Sequence, residues 1–199
     1  MAARHNVEKV AQAWIELLSD DPEAVSALGV ARAHLPAGQR LKSLRRLRLL
    51  EITGRLPGRE RLGSLLHRST QFYNPHKERC VVRVTGTDEP PLKPGELAVV
   101  VLDRDGGRRG AAERWWLHET GVAVEVREGT AWAIGFDDGG VADVEDLALV
   151  RGRRHGLLCN PHSQECHVAG DRVPLPWLNS GRGPEPTPRP RRRMTRSDT

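Results

Sequence analysis

The sequence predicts an α+β protein in three parts: a small N-terminal helical lobe of three to four helices, a small antiparallel SH3-like β-barrel, and a disordered C-terminal tail. Three observations carry this. Apolar residues up to about residue 70 recur at helical spacing. After Pro75 the chain turns into short β-rich runs at intervals of roughly 8–14 residues, joined by Gly/Asp turns, a pattern that favours a small barrel over a crossover-connected parallel sheet. From Asn179 onward, alternating prolines and clustered arginines leave too little apolar surface to bury. The implied division is 1–70, 71–178 and 179–199.

Asn6 is a suitable cap for a first helix through Val7, Val10, Ala11, Trp14, Leu17 and Leu18. Asp21 followed by Pro22 opens a second through Val25, Leu28, Ala31 and Leu35, because proline is tolerated where the backbone N–H has no intrahelical partner. Leu41, Leu44, Leu47 and Leu50 define a third helix from Gln39 to about Thr53, ringed by Arg40, Lys42, Arg45, Arg46 and Arg48. Gly54 ends it, and Arg59 to His67 reads as a fourth.

The β-rich runs are Cys80–Val84, Leu97–Leu102, Val122–Val126, Thr130–Phe136 and Val144–Val150. Glu128-Gly129 has the form of a tight hairpin turn. Glu113 to Thr120, with Trp115 and Trp116, is ambiguous between helix and strand; on a strand the two indoles could not both face inward.

The 199 residues carry a formal net charge of +5, unevenly spread. Residues 1–79 hold 14 Lys and Arg against 8 Asp and Glu, residues 80–178 hold 11 against 16, and residues 179–199 hold 6 against 2. A polyanionic partner would therefore meet the two ends rather than the acidic body. No apolar run approaches the roughly 20 residues of a membrane span, and no secretory signal is visible. Three cysteines do not make a disulfide framework, so the expected location is the reducing cytoplasm.

One motif occurs twice. Residues 74–80 read Asn-Pro-His-Lys-Glu-Arg-Cys and residues 160–166 read Asn-Pro-His-Ser-Gln-Glu-Cys. Each copy leads towards a proline cluster, Pro90-Pro91 in one case and Pro174-Leu175-Pro176 in the other, which marks an internal duplication. Pro75 and Pro161 hold the preceding Asn74 and Asn160 out of the α region, and the short amide side chain can then bond backbone two residues on and aim the histidine. Should the two turns meet, His76, Cys80, His162 and Cys166 form a tetrahedral set suited to zinc, with Cys159 and His167 as substitutes. The competing reading makes the cysteines small core hydrophobes at strand entry. A third has a histidine activating Cys159 or Cys166 as a nucleophile.

The common phosphate-binding, dinucleotide, zincin and serine-hydrolase motifs are missing from the sequence. The expectation is a non-catalytic accessory or adaptor protein that docks on another protein or complex. A second reading is a nucleic-acid-associated protein using the arginine-rich third helix and the tail, and a third is a metal- or cysteine-dependent enzyme. Candidate contact residues are Arg45, Arg46, Arg48, Trp115, Trp116, Arg153, Arg154, Arg191, Arg192 and Arg193.

Overall fold

A computed structural model describes residues 8–138, 140–151, 155–169 and 172–178. The chain runs β1 (Lys9–Leu17), α1 (Pro22–His34), a short 3-10 turn (Ala37–Arg40), β2 (Leu41–Gly54), α2 (Arg59–His67), β3 (Glu78–Arg83), β4 (Glu96–Asp103), α3 (Gly110–Thr120), β5 (Val124–Phe136), α4 (Val141–Ala148) and β6 (Gln164–Val168). The strands form one six-stranded antiparallel sheet in the order β3-β1-β2-β5-β4-β6.

This corrects the expected architecture. The sheet is open, not a closed SH3-like barrel, and it takes strands from both sides of residue 70. Helices alternate with strands along the chain instead of forming an N-terminal lobe. Residues read as the first and third helices are β1 and β2, and the presumed strand from Val144 belongs mostly to α4. Glu128-Gly129 is no hairpin turn: β5 passes straight through it.

The two misread strands share a cause. Each is buried on both faces, so neither shows the in-out alternation of a half-covered strand. In β1, Ala11, Ala13 and Ile15 face the helices while Gln12 and Trp14 face the other way. In β2, Leu44 and Leu50 face the helices and Leu47 faces away, so a leucine at every third residue visits opposite faces. Gly129 marks a close approach: a Cβ there would lie 2.9 Å from Leu178 Cδ2 and 3.1 Å from Val100 Cγ2. The α1 start follows its sequence signal, with the Asp21 carboxylate accepting the N–H groups of Glu23 (2.9 Å) and Ala24 (3.3 Å).

All four helices lie on one face. Those of the middle of the chain, α2 and α3, enclose Leu62, Leu66, Phe72 and Trp116 against β1 and β2. The outer pair, α1 and α4, enclose Ala31, Val144 and Leu147 against Val99, Val101, Trp132 and Ile134. The opposite face carries Trp14, Leu47, Leu49, Val100, Ala131 and Ala133, and is covered by a strap of residues 172–178 through Val173, Trp177 and Leu178.

The duplication seen in two turns extends to the whole fold. Each half is β-α-β-α-β, and the sheet order is the same read from either edge towards the centre. Ile15 lies opposite Cys80 and Val101 opposite Cys166, so equivalent residues of these strands are 86 positions apart, the same interval as between the two motifs. Ile15 also lies opposite Arg48, and Val101 opposite Thr130, which makes Arg48 and Thr130 equivalent. These two are themselves direct partners in the β2–β5 ladder. A pseudo-twofold axis therefore passes between Arg48 and Thr130. The helix pairs obey it: α1 and α4 exchange with α3 and α2.

Candidate functional site

The repeated turns stand at the two ends of the sheet, one leading into edge strand β3 and the other into edge strand β6. Their hydrogen bonds are nearly superimposable. Asn74 Oδ1 accepts the His76 N–H at 3.0 Å, and Asn160 Oδ1 accepts the His162 N–H at 3.0 Å. The Asn74 carbonyl accepts from Lys77 (3.0 Å) and Glu78 (2.8 Å), and the Asn160 carbonyl from Ser163 (3.2 Å) and Gln164 (2.8 Å). Each asparagine caps one helical turn, with proline at the first position where no donor is needed.

A further bond was missed in the sequence. The N–H of Asn74 donates to Glu78 Oε2 at 2.6 Å, and that of Asn160 to Gln164 Oε1 at 3.0 Å. The motif is better written Asn-Pro-His-x-Glu/Gln-x-Cys. The signal was present, since a carboxylate and its amide analogue occupy matching positions.

His76 and His162 are exposed, and neither imidazole has a hydrogen-bond partner among the described residues. The four-residue zinc centre is not assembled. Strands β3 and β6 are five inter-strand steps apart, about 24 Å along the sheet at about 4.8 Å per step. No group of three or more His, Cys, Asp or Glu able to hold a metal occurs among the described residues. His167 lies opposite Val100, on the strap side, whereas Cys166 lies opposite Val101 and points to the helix side. What the structure does bring together is Cys159 and Cys166, which pack into one cluster and are close enough to act on each other's ionisation.

Burial pushes the thiols of Cys80 and Cys166 up to about 12, and raises that of Cys159 as well. Thiolate, the nucleophilic form, is therefore scarce at neutral pH.

The arginines of β2 are engaged within the protein. Arg45 bridges Glu16 (2.7 Å) and Glu96 (2.6 Å) and donates to the Pro91 carbonyl. Arg46 meets Asp21 (3.3 Å) and Glu23 (3.1 Å). Arg48 ties the first turn in place, donating to the Phe72 carbonyl (2.9 Å) and to both oxygens of Glu78 (3.1 and 3.2 Å). In the second half Arg104 takes that role through the Pro161 carbonyl (3.1 Å), and Gln164 Nε2 donates to Asp103 (3.1 Å). An open pocket of about 290 Å³ beside Glu16, Asp21, Arg45 and Arg46 is lined by these paired charges.

Trp115 and Trp116 sit on α3, where both meet Phe72 edge-on at centroid distances of 5.5 and 6.1 Å. They belong to a core rather than to an exposed contact surface. Arg153, Arg154, Arg191, Arg192, Arg193 and the predicted tail lie outside the described residues.

A buried polar set lies under the strap. Gln12, Glu51 and Arg83 are at most 2 % exposed. Gln12 Nε2 donates to Glu51 (2.8 Å) and to the Pro174 carbonyl (2.9 Å), while its Oε1 accepts from Trp14 Nε1 (3.2 Å) and Arg83 Nη1 (2.5 Å). Arg83 also donates to the carbonyls of Asp88 (2.7 Å) and Val173 (3.2 Å). Glu51 accepts the backbone N–H groups of Trp177 and Leu178, the latter at 2.9 Å. Under the pseudo-twofold axis the equivalent positions are Ala98, Ala133 and Ala169. The halves differ where the strap is gripped, so this set is a fastening that only one half needs.

No family model, curated protein or solved structure matches the chain. No helix among the described residues is long and apolar enough to cross a membrane.

If the asparagine caps hold the turns, Asn74→Ala and Asn160→Ala will each lower stability by about 1 kcal/mol in chemical denaturation, with similar values because the bonding is equivalent. A change below the error of the measurement at either site would show that its turn is held by other contacts.

Proposed function

We propose that this is a non-catalytic docking protein that engages another protein along the open edges of its sheet. The observation that carries the reading is the equivalence of the two edges: among the described residues neither β3 nor β6 pairs with a further strand on its outer side, and each begins with the same capped turn, displaying an imidazole with no hydrogen-bond partner among those residues. The Leu18 N–H donates to the Lys77 carbonyl and the Arg104 N–H to the Ser163 carbonyl. Alternation along an antiparallel ladder then turns the backbone groups of Cys80, Val82, Cys166 and Val168 outward, the Val82 carbonyl accepting from Arg59 Nη1 at 3.1 Å. An extended partner segment can add to such an edge through main-chain hydrogen bonds, with neighbouring side chains supplying selectivity.

Two features speak against the other readings. The β2 arginines are held in ion pairs, which weakens the case for polyanion binding through that segment. The high thiol pKa values weaken the case for cysteine catalysis.

Proline at an outward-facing edge position removes a donor without breaking the ladder behind it. Affinity purification from the native cell extract is expected to recover a specific protein with the wild type, and with neither edge present in the variant Val82→Pro/Val168→Pro. Retention of the same partner at unchanged yield by that folded double variant would refute edge docking.

A further inference from the structure

We propose that Cys159 and Cys166 are an oxidisable pair that forms an intramolecular disulfide with hydrogen peroxide, closing a covalent loop around the second Asn-Pro-His turn. The proposal does not depend on the docking reading, because its readout is chemical.

The geometry that supports it is local. Cys159 is 2 % exposed and joins the end of α4 through its bridge to Leu149. Cys166 is partly exposed on edge strand β6, opposite Val101. Both side chains pack into the same cluster beneath α1 and α4, and the tight turn between them, closed by the Ser163 and Gln164 N–H groups on the Asn160 carbonyl (3.2 and 2.8 Å), brings the two flanking cysteines towards each other.

The duplication supplies an internal control. Cys80 is the equivalent of Cys166, but the equivalent of Cys159 is Tyr73. The Tyr73 hydroxyl is engaged by His67 Nδ1 at 2.9 Å, so the cluster that holds Cys80 has a phenol at the position where that of Cys166 has a second thiol. All three cysteines are free, and only Cys159 and Cys166 belong to the same cluster.

The chemistry balances with one equivalent of peroxide. The more accessible Cys166 sulfur, as thiolate, attacks a peroxide oxygen; the O–O bond breaks, giving a sulfenic acid and, after protonation, one water. The Cys159 sulfur then displaces the hydroxyl as a second water and forms the S–S bond. Two S–H bonds are lost, the sulfur pair gives up two electrons, and peroxide is reduced to two waters. Since burial holds Cys166 at about 12, thiolate is the limiting species, and the rate should rise about tenfold per pH unit between pH 7 and 9.

The test uses the full chain. After native treatment with hydrogen peroxide, the protein is denatured, alkylated and weighed. The expected product has lost two hydrogens, retains one alkylatable thiol, and yields a Cys159–Cys166 linked peptide with Cys80 alkylated. In Cys166→Ser the linked species should vanish, while Tyr73→Cys should create a second linkage, to Cys80. A folded wild type that gives only added oxygen, a link through Cys80 or a cross-linked dimer would overturn the proposal.

Discussion

Replacing Arg83 with alanine is expected to destabilise the protein by about 3–5 kcal/mol, the range found when one member of a buried, hydrogen-bonded charge network is removed. The reason is the completeness of the network. Arg83 is 2 % exposed and supplies donors to Gln12 and to the Asp88 and Val173 carbonyls. Burial alone draws its pKa below the ordinary guanidinium value, against the opposing pull of Asp88 and Glu51. Without it, Glu51 loses the favourable charge of Arg83, and three acceptors lose a partner. Urea denaturation of the variant measures the effect, and a loss under about 1 kcal/mol would show that the set is not cooperative. Ala169→Arg, which places a guanidinium at the equivalent point of the other half, should not stabilise, because Ala98 and Ala133 offer it nothing.

The helices were legible where capping chemistry is local. Asp21-Pro22 placed α1, and Arg59 to His67, read as a helix, is α2. The strands β3 and β4 were legible from β-branched runs. What failed was any inference from apolar periodicity in a strand covered on both sides. A leucine every third residue in β2 satisfies a helical pattern and a two-faced strand equally well. The arginines between those leucines looked like a solvated helix face because their carboxylate partners, Glu16, Glu78 and Glu96, are far away in sequence. Gly129 looked like a turn because the close approach of Leu178 that requires it is 49 positions downstream.

The repeated turns were the most informative feature of the sequence, and their local geometry was correctly derived: each asparagine does bond the backbone two residues on. Their mutual placement was not derivable. Two copies of a motif can be brought to one centre or sent to opposite edges, depending on which strands pair at the symmetry axis. That choice belongs to the β2–β5 ladder, whose registration around Arg48 and Thr130 no local pattern reveals. In this fold the long central strands meet, so the short strands that follow the turns are forced outward. The duplication thus yields two equivalent sites instead of one composite site, and the residue differences between halves become the guide to specialisation.

The strap offers the second large effect. Trp177 is 2 % exposed and stacks at a tilt on Trp14, with centroids 6.1 Å apart. Trp177→Ala should lower stability by about 3–5 kcal/mol, the usual range for removing a large buried aromatic side chain. It should also lower the hydrogen-exchange protection of the strap's own amides, including the two held by Glu51, more than that of β2 or β5. Trp177 and Arg83 act on the same segment from opposite ends. Once either is removed and the strap is loosened, the other has less to hold, so Arg83→Ala and Trp177→Ala together should fall short of additivity by about 1 kcal/mol or more. Strict additivity would mean that the polar set and the aromatic stack stabilise separate parts of the sheet, and that residues 172–178 are core rather than a fastened strap.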